Sequence, residues 1–210
     1  MIKDNLLSGL KQKGFSEEII NAFAKVRRED FVPENLAPYS YEDIPLPIEV
    51  GSTISQPSTV AFMLNLLELK QGQKILEIGS GSGYTLALMS EIIKDGKIYG
   101  IELLERLAIK SKNLLAKDSN IEVINRSGLQ GLPEFAPYDR ILVSASCPNK
   151  DSLAPFLEQL KDLGILVAAV HQSIFQIKKE NSVLTEKEFP GFVFVPLVKE
   201  NKESKESLPS

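Results

Sequence analysis

From residue 74 onward, short apolar runs recur along the chain, and most are followed by a stretch whose apolar residues return every three or four positions. The runs "KILEI" (74–78), "KIYGIE" (97–102), "IEVIN" (121–125), "DRILVSA" (139–145) and "GILVAAV" (164–170) have the length of strands. Residues 84–94, 104–116 and 151–160, which lie between them, carry helical spacing. Apolar strands alternating with amphipathic helices predict a parallel sheet covered on both faces. "SIFQIKK" (173–179) and "FVFVPLV" (192–198) read as two more strands with no long helix between them, which predicts an antiparallel edge. The pattern as a whole is α/β: a doubly wound, mostly parallel, seven-stranded sheet.

Upstream the pattern is different. Leu6, Leu7 and Leu10 predict one helix; Ile19, Ile20, Phe23 and Val26 predict a second, with Ser16 placed to cap it and Glu17–Glu18 in its first turn. A helix over 57–69 should begin on Pro57, where the missing N–H costs nothing, and should gather Val60, Met63, Leu64 and Leu67 on one face. Between these helices, residues 31–58 break every periodicity and hold five prolines and two tyrosines. A long segment without periodicity inside a compact domain usually has a function. The polar tail "KENKESKESLPS" (199–210) predicts a disordered end. One domain over 1–198 is therefore expected. Its N-terminal helices and active-site loop occupy 1–56, and its ligand-binding core occupies 57–198.

Composition narrows the classes. The chain has 210 residues, enough for one well-buried α/β domain. A formal net charge of −4 and a pI near 5.3 argue against a nucleic-acid partner. With Cys147 and His171 as its lone cysteine and histidine, the chain can form no internal disulfide and no Cys/His zinc site. No metal is expected. "ILVAAV" (165–170) is far too short to span a bilayer, and the charged N-terminus is unlike a signal peptide. The expected setting is cytoplasmic, without a membrane partner.

The candidate chemistry sits in "ILEIGSGSGYT" (75–85), an apolar strand, an acid and then glycines at alternate positions before a helix. Backbone amides and a helix N-terminus face a ligand in such a loop. A phosphate-binding P-loop would need Gly-Lys-Ser/Thr where Tyr84–Thr85 stand. A dinucleotide fingerprint would need glycine at position 84, yet the third glycine falls one place early, at Gly83. What remains is a loop of Gly79, Ser80, Gly81 and Gly83 against an adenosyl group and an amino-acid moiety. Glu77 and Glu102, each at the end of a strand, flank it, and an acid in the second place can accept both ribose hydroxyls. Two acids without a cation suit a positively charged ligand, and S-adenosylmethionine is one.

The motifs "VRREDFVPE" (26–34), "YEDIPLPI" (41–48), "TISQP" (53–57), "LEIGSGSGY" (76–84), "APYDRILVSA" (136–145) and "FVFVPLV" (192–198) lie in one order along most of the chain. In them the sequence resembles the protein-L-isoaspartate (D-aspartate) O-methyltransferase family of class I S-adenosylmethionine-dependent methyltransferases, which implies a Rossmann-like core. "PLPI…TISQP" is specific to that family, whereas the glycine motif is common to the superfamily. The resemblance implies methyl esterification of the α-carboxylate of L-isoaspartyl residues in damaged proteins and peptides, followed by collapse of the ester to a succinimide. It places Ser55 at the methyl-transfer centre, holding and orienting the acceptor carboxylate, with Thr53 and Ile54 lining the cofactor beside it. Ser55 is also positioned as a helix N-cap. Ser127–Gly128 match the family's Asp-Gly pair at the adenine, and the serine hydroxyl can still accept a hydrogen bond there.

The sequence departs from the family at Glu49, where glycine is usual and where a negative charge is expected close to the acceptor. It departs at Ser52, where glutamine is usual, and at "AVH" (169–171) in place of Pro-Val-Gly. Cys147 is expected as a half-buried filler near the substrate mouth, and His171 as a loop residue without chemistry. After the fourth core strand "VSASCPN" (143–149) lacks the Pro-Pro-aromatic turn of enzymes that methylate exocyclic amino groups, which disfavours nucleobases. Another carboxylate or small-molecule acceptor, or a catalytically inactive cofactor-binding relative, stays open. A monomer is expected.

Overall fold

The computed structural model describes residues 2–49 and 51–197; the expected disordered tail lies outside them. The chain begins with α1 (Ile2–Gln12) and α2 (Glu17–Lys25), and the Ile19 amide donates to the Ser16 hydroxyl at 3.5 Å, so Ser16 caps α2 as its position predicts. The aperiodic segment is ordered. It forms 3₁₀ turns at Arg28–Phe31 and Glu34–Tyr39, then a small antiparallel hairpin of β1 (Leu46–Glu49) and β2 (Ser52–Ile54). Helix α3 (Pro57–Leu67) follows, with Val60, Met63, Leu64 and Leu67 all buried. Ser55 does not cap it. The N-cap position is Gln56, and the Ser58 amide donates instead to Asp43 at 2.8 Å, a carboxylate brought in from the preceding segment.

The core then alternates β3 (Lys74–Ile78), α4 (Tyr84–Ile93), β4 (Lys97–Glu102), α5 (Glu105–Leu114), β5 (Ile121–Asn125), β6 (Tyr138–Cys147), α6 (Ala154–Gln159), β7 (Leu160–Val170), β8 (Ser173–Glu180) and β9 (Val183–Pro190). The sheet order is β5-β4-β3-β6-β7-β8-β9; β5 to β7 are mutually parallel in this order, and β8 and β9 return antiparallel. Alternate residues of each inner strand feed opposite layers. Ile75, Ile98, Leu142 and Val167 join the core under α1 to α5, while Leu76, Ile141, Val143 and Leu166 join a second core with Phe156 of α6. Burial on both faces is why these strands read as unbroken apolar runs.

The seventh strand is not where the apolar pattern put it. Residues 192–198 were expected to be a strand, but the sheet ends on β9, whose side chains are almost all exposed and which sequence reading missed. Its charged "VLTEKE" has no apolar face, so nothing in its periodicity marks a strand; it forms because Asn181 and Ser182, with φ of 51° and 65°, close a two-residue turn and pair it with β8 along its length. Beyond it, Gly191 (φ 97°) turns the chain across the carboxyl ends of the strands as a strap, tied by Ser146 N to Val195 O and Leu197 N to Ser146 O, both at 2.8 Å. Phe192 faces α3 and stacks on Phe62 with ring centroids 5.4 Å apart, and pairing of the segment with β6 is confined to a bridge at Ser146.

Candidate active site

The chain order reverses between β3 and β6: β4 and β5 build outward on one side of β3, and β6 starts the other side. Ligands of open α/β sheets bind in the crevice outside the carboxyl ends of strands at such a point. A cavity of about 540 Å³ lies there. Its floor is the end of β3, the glycine loop, and Ser144 and Ala145 of β6; one wall is Ile101–Leu104 after β4; the roof is Ser52–Gln56, the start of α3 and the strap Gly191–Leu197.

The glycine loop is held by its neighbours before any ligand arrives. Gly79 N and Ser80 N donate to Ile101 O at 2.9 and 3.0 Å, and Gly81 N donates to Glu102 Oε2 at 2.7 Å. Glu102 accepts a second amide, Leu104 N, on Oε1 at 2.8 Å, so each oxygen retains acceptor capacity toward the cavity. Gly81 comes under the hairpin: a Cβ there would sit 3.5 Å from Ile48 Cδ1. Gly83 does not line the cavity. It is the N-cap of α4 with φ 85°, and a Cβ would fall 2.3 Å from Ser111 Oγ, so its role is to let α4 pack on α5.

Glu77 carries the unusual electrostatics. It is buried; Ser144 Oγ donates to its Oε1 at 2.7 Å, while its Oε2 has no partner. Burial pushes its carboxyl up to about 8, with the Ser144 hydrogen bond opposing and the charge of Glu102 reinforcing the rise. Burial also raises Glu102, less the effect of the amides it accepts. Ser80 Oγ, buried in the same wall, is likewise unpartnered. The two orphaned atoms, Glu77 Oε2 and Ser80 Oγ, fit a ligand that brings hydrogen-bonding groups, and a cationic ligand would offset the burial that raises Glu77 and favour its carboxylate.

Most of the residues singled out in the sequence meet here. Thr53, Ile54, Ser55, Glu77, Gly79, Ser80, Gly81, Glu102 and Gly128 all line the cavity. Ser127 is half-buried and off the lining. Ser55 is half-buried, and its hydroxyl makes no hydrogen bond among the described residues. Glu49 does not reach the cavity; its carboxylate turns to Arg106 of α5 at 4.0 Å, on the glycine-loop side. His171 is exposed in the β7–β8 turn with φ 51°, its carbonyl accepting Ser146 Oγ at 3.2 Å. Cys147 is fully buried rather than half-buried, and burial raises its thiol to about 11, which keeps it unreactive. Sequence reading missed Ser144, Met63 and the strap. A hydroxyl directly after the apolar run Ile141–Val143 was the available signal for Ser144, and the phenylalanine alternation of 192–194 reads as a strand rather than a strap.

A sheet of this order, with a glycine loop after its first core strand and an acid closing the next, defines a Rossmann-like methyltransferase domain. The model of the protein-L-isoaspartate(D-aspartate) O-methyltransferase family matches residues 1–202, and the chain belongs to that family. It is 40 % identical over 200 residues to the protein-L-isoaspartate O-methyltransferase of Methanococcoides burtonii, covering 92 % of this chain and 98 % of that one. It is 43 % identical over 196 residues to the Thermosipho melanesiensis protein of the same name, covering 90 % and 98 %. A solved protein-L-isoaspartate O-methyltransferase superposes with a TM-score of 0.84 at 28 % identity, covering 94 % of this chain and 66 % of that one. A Plasmodium falciparum protein assigned to the same activity, solved with S-adenosyl-L-homocysteine, gives 0.80 at 26 % identity, covering 93 % and 98 %.

Proposed function

We propose that this protein transfers the methyl group of S-adenosylmethionine to the α-carboxylate of L-isoaspartyl residues in damaged proteins and peptides. The observation that carries the reading is one cavity shared by an unbonded Ser55 hydroxyl and an acid-flanked glycine loop. The family membership and the homocysteine complex of the Plasmodium relative support the donor class. When bound, that donor supplies an electrophilic methyl on a sulfonium.

The chain's own residues have three tasks. Glu102, Gly79, Gly81 and Gly128 shape the adenosyl side, while Glu77 and Ser80 offer unpartnered atoms to the amino-acid moiety. Ser55 donates its hydroxyl to the acceptor carboxylate and fixes the oxygen that attacks, a positioning role and not that of a covalent nucleophile. Met63, Phe192 and Phe194 exclude water. No base is required, because a carboxylate of pKa about 4 is ionised at neutral pH. An anion meeting a cation discharges both as the methyl passes, so a dry, aligned encounter favours transfer. The reading includes a cytoplasmic monomer that acts without nucleic acid; the acidic balance of the chain supports the last part.

Tritiated donor, offered with an isoaspartyl peptide and its aspartyl twin, tests the proposal. Base-labile label on the isoaspartyl peptide alone is expected. Label on neither, with S-adenosylhomocysteine still bound, would refute it.

A further inference from the structure

The charged side chains that line the cavity, among the described residues, are both acidic, Glu77 and Glu102. The acceptor of the proposed reaction is nonetheless a carboxylate. A cation lies one layer behind the wall. Arg28, from the 3₁₀ turn that follows α2, is 0 % exposed. Its guanidinium donates to Ser40 O at 2.6 Å, Ile44 O at 3.2 Å and Ser55 O at 3.0 Å. Its Cζ stands 5.9 Å from the ring centre of Tyr84, the residue after the glycine loop.

Nothing neutralises this charge by contact. Asp43 is turned to Lys13 at 2.9 Å and to the Ser58 amide, and Glu29 is engaged by the Tyr41 hydroxyl and by Arg27 at 3.2 Å. Among the described residues Arg28 forms no ion pair, and its Nε has no partner. Burying a cation against carbonyls alone is costly, and neutral side chains could brace a loop without that cost. The expense makes sense where the charge itself is used. Asp43 stabilises it only at a distance, and a charge without an ion-pair partner in a low-dielectric layer acts over several ångströms.

We infer that Arg28 is the positioning residue of the acceptor side: its three-carbonyl grip fixes the Ser55 backbone, and its unpaired charge supplies the positive potential that an acceptor carboxylate meets above Ser55. The inference rests on the carboxylate reading of the function. It makes Arg28 selective for anionic acceptors without touching them.

Steady-state kinetics with an isoaspartyl peptide on native protein, Arg28→Lys and Arg28→Gln tests it, with S-adenosylhomocysteine affinity and cooperative unfolding followed in parallel. Arg28→Lys keeps the charge but loses the grip, so kcat should fall about tenfold with acceptor KM within about threefold. Arg28→Gln loses both, so acceptor KM should rise by about 30-fold as well. The homocysteine Kd should stay within about threefold in each. Native acceptor KM in Arg28→Gln, equal KM defects in the two variants, or a parallel loss of homocysteine binding would overturn the inference; the last would leave Arg28 a purely structural brace. If neither variant folds, the native protein decides. The same peptide with its α-carboxylate replaced by a carboxamide should bind, as an inhibitor, at least about tenfold more weakly than the isoaspartyl form. Equal affinities would overturn the inference. Failure of the native protein to label the isoaspartyl peptide at all would instead refute the functional reading.

Discussion

Glutamine at position 77 removes one titration and little else. Ser144 Oγ can still donate to the amide oxygen as it does to Glu77 Oε1 at 2.7 Å, and the amide nitrogen takes the place of the oxygen that has no partner. Burial is the largest cause raising the pKa of this carboxyl from 4.5 to about 8; of the groups that face it, Ser144 from β6 opposes the rise through its hydrogen bond and Glu102 from β4 reinforces it through its charge. Between those two values the folded protein keeps a proton that the unfolded chain has released. Stability in that window therefore falls as pH rises. The contribution of the protonated form is full below about 4.5 and is gone above about 8. One proton changes stability by at most about 1.4 kcal/mol per pH unit, so the carboxyl should cost the native protein about 2–3 kcal/mol between pH 5.5 and 7.5. Glu77→Gln mimics the protonated form and should lose this dependence. Urea unfolding of both proteins in half-unit steps from pH 5.5 to 8.5 gives the difference directly, since Glu102 titrates in both. The advantage of the variant should grow with pH and level off above about 8. A difference that stays flat to within about 0.5 kcal/mol would refute the buried, neutral carboxyl.

Two other substitutions separate chemistry from architecture. Ser55→Ala should lower kcat by about one to two decades while S-adenosylhomocysteine affinity survives, the size of losing one or two positioning hydrogen bonds. Unchanged turnover would remove Ser55 from the site. Gly83→Ala should destabilise the protein by about 2–4 kcal/mol in urea unfolding, because its φ of 85° is strained for a side chain and the new Cβ would meet Ser111 Oγ at 2.3 Å and Leu115 Cδ1 at 2.8 Å. Native-like stability would mean that α5 shifts aside without penalty.

The sequence by itself determined the parallel core and the loop that marks it. Strands buried on both faces must be apolar throughout, helices between them must carry one apolar stripe, and a tight turn against a ligand must be bare; each of these constraints is local and visible in residues 74–170. Glu77 and Glu102 were legible because strand ends are legible. Tertiary structure alone decided the rest. β9 has no apolar face and exists through backbone pairing across the Asn181–Ser182 turn, whereas the strand-like 192–197 pairs with β6 only at a single bridge to Ser146 and became the roof of the cavity. Arg28 and Arg27 are adjacent and chemically alike, yet one is fully buried against three carbonyls and the other is exposed. What a charge is worth depends on the dielectric around it and on the distance to its partners, and neither exists until segments far apart in the chain have packed together.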